Sequence, residues 1–303
     1  MTAEMFEFDC LMIYQAAVNA LVVSCQYFVV AISFYAIYRA AGFFHFAHGA
    51  VVAAGPYLLL LFSKWLGVPW ALAACAAVSG CGAVGCVSYL LVYRPLRRRN
   101  STALVLMLAS LGTYVVMQNL ISMAFGDYRQ TIRLGGLKEG LGILGAKVTP
   151  IQIVTVAVGV SVALGLAWAV RVTMPGKAFR AVANDPQLAS ASGIESDRVV
   201  LWCFGLGSAL GGTAGVLIAL DLDMIPTMGM NPLVFGIVAV VVGGARRVLG
   251  IAFGALLLGA AQHFGVLAIG FRWQDAIAFA MLFGFLVMRP QELARRGSVK
   301  AAP

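Results

Sequence analysis

The chain has 303 residues, of which 61% are hydrophobic and only 11% charged, and its mean hydropathy of +0.93 excludes a soluble globular domain. Its apolar runs repeatedly reach the ~20 residues needed to cross a ~30 Å hydrocarbon core as a helix. A formal net charge of +9 would suit a nucleic-acid binder in a soluble chain, but in a chain this apolar the distribution of charge among loops carries the information.

The N-terminus carries Glu4, Glu7 and Asp9 and no basic residue, so it lacks the positive start of a cleaved signal peptide, and the first apolar run is expected to stay attached. Apolar runs and their breakers then place spans at 14–38, 46–63, 69–92, 103–125, 150–170, 199–220, 232–245, 248–269 and 275–288. Runs such as Ile151 to Val170 are apolar on every side, which excludes a membrane barrel with its alternating strands. The expected fold is therefore all-α, a polytopic bundle of about eight to nine spans within one transmembrane domain over residues 1–303. The spans 232–245 and 275–288 are short for a full crossing. A short or Gly-broken span points to a transport path, because irregular backbone at membrane depth persists only beside protein or a water-filled cavity.

Charge gives an orientation. With the acidic N-terminus outside, the inner segments hold Arg39, the run Arg94, Arg97, Arg98 and Arg99, the 171–198 loop, Arg246 with Arg247, and the tail after Met288. These contain 15 of the 21 Lys and Arg residues, whereas the outer segments hold 8 of the 12 acids, the asymmetry of the positive-inside rule. A bacterial inner (plasma) membrane, with the C-terminus cytoplasmic, is the expected location.

Polar residues inside the spans are few. Gln15, Asn19 and Gln26 share one face of the first span, where they either line a pathway or join helices by amide bonds. Gln118 and Asn119, and Gln262 with His263, pose the same choice. Gly205, Gly207, Ser208, Gly211, Gly212 and Gly215 make the sixth span a close-packing surface, and Asp221 and Asp223 follow at its outer, hydrated end. No central span carries an acid or base of the kind a proton-coupled carrier uses. His45 and His48 are three apart, but no nearby Cys, Asp or Glu completes a metal site. The six cysteines form no C-x-x-C pair and read as small hydrophobes. No serine has glycines at both −2 and +2, which excludes that type of intramembrane protease.

The polar insertion from Arg171 to Arg198 is the most informative segment. Phe179, Val182 and Ala183 repeat on a helical face, Asp185 and Pro186 form a cap and helix-opening proline, and Gly193 ends a second short turn. Spacing alone leaves two alternatives, a solvated loop with an amphipathic piece or a docking surface for an inner-face partner.

At this insertion a resemblance becomes specific. The run Gly176-Lys177-Ala178-Phe179-Arg180-Ala181-Val182-Ala183-Asn184-Asp185-Pro186, then Leu188-Ala189 and Gly193-Ile194, resembles the coupling segment of branched-chain amino acid ABC permeases. Phe46-Ala47-His48-Gly49, Tyr93-Arg94-Pro95-Leu96-Arg97, Leu206 to Gly215, Pro226-Thr227-Met228-Gly229 and Gly243-Gly244 are similar to further elements of that family, in family order. The chain departs from the pattern at His45, Phe235, Arg246 and Leu249.

The resemblance implies a permease subunit of a bacterial ATP-driven importer for a small solute such as a branched-chain or hydrophobic amino acid. It implies a second permease subunit, the same chain or a homologue, two cytoplasmic ABC ATPases and an extracytoplasmic solute-binding protein. Gly176, Phe179, Arg180, Asp185, Pro186 and Gly193 would couple to the ATPase from the 171–198 loop, and Gln15, Asn19, Gln26, Gln118 and His48 would line the pathway. No cofactor is expected on this chain: it has no G-x-x-x-x-G-K-[ST] phosphate loop, so ATP and Mg would sit on partner subunits, and no enzymatic activity is expected of it. The alternative is a secondary transporter or channel for a small polar solute such as an amide or urea.

Overall fold

Each of the nine expected spans coincides over most of its length with a helix. The structure, a computed structural model, describes residues 2–132, 140–143, 146–244 and 247–288. Arg246, the tail after Met288 and the side chains of Glu4, Glu7, Asp9 and Cys10 lie outside the described residues. The helices are α1 (Thr2–Ala41), α2 (His48–Leu60), α3 (Trp70–Ser88), α4 (Arg94–Arg98), α5 (Ala103–Phe125), α6 (Pro150–Val172), α7 (Met174–Asn184), α8 (Pro186–Ala191), α9 (Ser196–Asp221), α10 (Met230–Gly243), α11 (Val248–Ile269) and α12 (Gln274–Met288). A π turn over Leu61–Trp65 prolongs α2, another over Tyr89–Tyr93 joins α3 to α4, and β1 (Leu141–Ile143) pairs antiparallel with β2 (Ala146–Val148).

Among the described residues, seven helical segments are long and apolar enough to cross a membrane, including Trp70–Arg98 and the 18-residue Phe271–Met288. The last of these therefore exceeds the span read from sequence, whereas α10 stays at 14 residues. The protein is a multi-pass membrane protein.

Helix α1 is the axis of the bundle, and glycines on four neighbours explain how they reach it. A Cβ on Gly259 of α11 would stand 2.9 Å from Ala20 O, one on Gly207 of α9 2.9 Å from Ser33 O, one on Gly159 of α6 2.8 Å from Cys25 Cβ, and one on Gly236 of α10 3.0 Å from Val30. Without a side chain at these points backbones approach closely, which favours dispersion contacts where lipid gives helix association little hydrophobic drive.

The short α2 is buried over nearly its whole length, and its backbone touches that of α9: a Cβ on Gly215 would lie 1.8 Å from Val52 O. It is an interior element, so its Pro56 and modest length do not expose polar backbone to lipid. Helix α3 and the π turn that follows it bury Ala73, Ala77, Cys81, Gly85, Tyr89 and Tyr93, one residue in every four, against their neighbours. The spacing is slightly wider than the 3.6 of an α-helix, consistent with the π turn within this stretch.

Candidate functional site

Three helices are joined end to end with almost no slack at one end of the bundle. Thr173 closes α6, its N–H donating to Ala169 O at 3.1 Å, and opens α7 by accepting from Gly176 N–H at 3.1 Å. Asp185 does the same between α7 and α8: its N–H donates to Ala181 O at 3.0 Å, while its carboxylate accepts from the Gln187 and Leu188 N–H groups at 2.8 and 3.0 Å. Each joint is one residue that satisfies orphan groups of both helices. Gly176 permits the first bend, since a Cβ there would meet Ala169 O at 2.2 Å. Gly193 ends the unit with φ +82°, a left-handed conformation that costs other residues about 1–2 kcal/mol.

The inner face of this unit is tied to the bundle. Val182 and Ala183 are buried, and Phe179 packs between the core around α1 and a second cluster containing Ile37, Tyr93, Val200 and Phe204. Arg39 near the end of α1 donates to Asn184 Oδ1 at 3.3 Å. The outer face holds Lys177, Arg180, Pro186, Gln187 and Gly193, all exposed, together with exposed Met174 and Leu188. Arg180 donates to Arg171 O at 3.5 Å, at the edge of hydrogen-bond distance. The structure thus brings Gly176, Phe179, Arg180, Asp185, Pro186 and Gly193 together in one unit.

Beside it, Asp197 in the first turn of α9 accepts from Tyr89 Oη at 2.5 Å and from Arg94 Nε at 2.8 Å, and Arg198 pairs with Glu195. Sequence reasoning passed over Asp197; the available signal was an acid in the first turn of a span whose flanking segments are basic. Arg94, Arg97, Arg98, Ser190, Glu195, Ser196 and Asp197 line an open cleft of about 530 Å³ between α4, α8 and α9.

The five polar side chains expected along a pathway are not gathered at one place. Gln15 exchanges two hydrogen bonds with the Lys147 backbone of β2, at 2.9 and 3.2 Å, and donates to Asn19 at 3.1 Å. Gln26, buried, donates to Asp221 Oδ2 at 3.4 Å. His48 is fully buried with Nε2 2.7 Å from Ser33 Oγ, in the space left by Gly211, where a Cβ would meet the ring at 2.8 Å. His45 is buried against the Tyr93 and Phe204 rings, with centroids 5.0 Å from each. Gln118 is half-buried on α5 beside exposed Asn119, whose amide donates to Val115 O of its own helix at 2.7 Å. At the opposite end from α7 and α8, Asp223 accepts from Arg129 at 3.4 Å and from Thr131 at 2.8 Å, beside a backbone bridge between Gln130 and Met224.

Comparison with known proteins agrees with this arrangement. The sequence profile of the family described as "Branched-chain amino acid transport system / permease component" matches residues 16–286. The chain is 29% identical to the high-affinity branched-chain amino acid transport system permease protein LivH of Salmonella typhimurium, over 94% of this chain and 96% of that protein. It is also 29% identical to the corresponding protein BraD of Pseudomonas aeruginosa, over 94% and 97% of the two chains. Among solved structures, PsaBC from Streptococcus pneumoniae in complex with Fab shares the fold, with a TM-score of 0.55, 16% identity and coverage of 97% of this chain and 98% of that one. A family profile spanning nearly the whole chain, set on a multi-pass helical bundle, identifies this protein as a member of the branched-chain amino acid transport system permease family.

Proposed function

We propose that this chain is the membrane-spanning permease subunit of an ATP-driven importer in the plasma membrane, that its solute is a branched-chain or other hydrophobic amino acid, and that α7 and α8 receive the stroke of a cytoplasmic ATPase. The observation that carries the proposal is the pair of one-residue joints at Thr173 and Asp185. A push on the exposed face of α7 and α8 is passed to α6 without a loop to absorb it, and to α1 through Arg39 and Asn184. Coupling then requires that the ATPase bind this face differently in two global states of the bundle.

Charge supports the orientation. Among the described residues the α7–α8 end carries Arg39, Arg94, Arg97, Arg98, Arg99, Arg171, Lys177, Arg180, Arg198 and Arg247, against Lys64, Arg129, Lys147 and Arg272 at the opposite end. By the positive-inside rule the first is the cytoplasmic end. ATP and Mg belong on two partner ATPases, a second permease subunit completes the membrane unit, and an extracytoplasmic binding protein delivers the solute. Gln118 and Asn119 are amides on a helix otherwise lipid-like on its outer face, and we assign that patch to the path or the second subunit, since amides facing lipid are costly.

The test is a cysteine placed at Lys177 in an otherwise cysteine-free chain. Cross-linking to the ATPase in membranes, with protection from an external impermeant thiol reagent, is expected. Labelling from outside the cell would reject the orientation and the coupling role together.

A further inference from the structure

The basic cleft between α4, α8 and α9 has a chemistry that coupling does not use. Its two acids are already matched, Asp197 by Arg94 and Glu195 by Arg198. Arg97 and Arg98 remain as surplus positive charge on its wall. They reach it from different sides of one continuous helical segment. Arg97 follows Tyr89 and Tyr93 at the same four-residue spacing, so it continues the buried stripe, and its Nη1 is buried without a hydrogen-bond partner among the described residues. Arg98 lies on the exposed side, where the same segment presents Val87, Leu90 and Leu91, the last 73% exposed.

The cleft therefore stands where a lipid-facing apolar surface ends and a cluster of guanidinium groups begins. The hydroxyls of Ser190 and Ser196 line it as well, and both now donate to Pro186 O, at 2.8 and 3.0 Å. A guanidinium fork and rotatable hydroxyls suit the oxygens of a phosphate. Basic pockets between membrane helices hold anionic headgroups while the acyl chains stay in the hydrocarbon.

We propose that the Arg94, Arg97 and Arg98 cleft is a binding site for the phosphate of an anionic membrane phospholipid, whose acyl chains lie along the exposed Val87, Leu90 and Leu91 surface. The headgroup phosphate meets the Arg98 guanidinium and the accessible part of Arg97 and bridges α4 to α8. The site rests on the membrane-spanning fold and not on the ATPase reading, so either can fail without the other.

The experiment is native mass spectrometry of the full chain released from nanodiscs of phosphatidylcholine doped with phosphatidylglycerol, alongside thermal unfolding in detergent with added lipid. The wild type is expected to retain phosphatidylglycerol over phosphatidylcholine, and Arg97→Gln with Arg98→Gln to lower that preference roughly tenfold. Arg98→Gln alone, at an exposed position, gives a partial loss even where the double variant folds poorly, and Arg98→Lys restores most of it. Arg272→Gln, away from the cleft, is expected to leave the preference unchanged. Equal retention of both lipids by the wild type, an unaltered preference in the Arg98→Gln protein, or equal stabilisation by millimolar inorganic phosphate would overturn the proposal.

Discussion

Arg94 Nε lies 2.8 Å from Asp197 Oδ2 while Tyr89 Oη donates to the other oxygen of the same carboxylate. One acid in the first turn of α9 thus clasps two residues on the continuation of α3. The Arg94 and Asp197 side chains are 39% and 40% exposed, so the pair is partly screened, and a double-mutant cycle of Arg94→Gln and Asp197→Asn is expected to give a coupling of about 0.5 kcal/mol. The coupling should shrink as salt is raised from 0.1 to about 0.5 M. A salt-independent coupling of several kcal/mol would show the pair to be far more buried than its exposure indicates.

The Asp185 joint makes a local prediction. Asp185→Ala removes the acceptor for two N–H groups of α8, at a cost of about 1 kcal/mol typical of a lost helix cap. Amide hydrogen exchange of residues 187–191 is expected to speed up several-fold while that of α9 stays slow. Uniform protection would mean that the cap does not hold α8.

Glycines separate into those at contacts and those in open space. A Cβ on Gly215 would come within 1.8 Å of Val52 O, whereas one on Gly112 would meet nothing within 4 Å. Gly215→Leu is therefore expected to cost about 3 kcal/mol or more through overpacking against backbone and to abolish accumulation of folded protein. Gly112→Ala should be neutral or raise stability by up to about 1 kcal/mol through helix propensity. Thermal unfolding of the purified chain in detergent compares the two.

Much of this architecture was legible in the sequence because hydrophobic length and punctuation are local signals. Every expected span coincides with a helix, and Asp185, Pro186 and Gly193 mark the ends of the short helices as their chemistry requires. The Asp197 clasp was not legible, since Asp197 and Arg94 are 103 residues apart and nothing in either local sequence specifies the other. Gln15 shows a further limit: its amide is spent on the Lys147 backbone of a short hairpin, and backbone partners leave no trace in side-chain patterning. The burial of α2 was hidden for a different reason. Its run looks like an ordinary span, and close approaches distant in sequence, such as Gly215 to Val52 O and Gly229 to Gly49 O, make it an interior helix.

The claim that α7 and α8 transmit work is tested most directly by measuring ATP hydrolysis and solute uptake in the same proteoliposomes, containing the complete transporter, for wild type and for Arg180→Glu. Arg180 is exposed on the outer face of α7, so its reversal should leave the permease folded and inserted. The expected result is uptake reduced at least about tenfold with hydrolysis retained, since unfavourable charge juxtaposition at an interface is costly. Unchanged uptake per ATP hydrolysed, in the Arg180→Glu protein and equally in a Gly193→Trp protein, would contradict the coupling role of this segment.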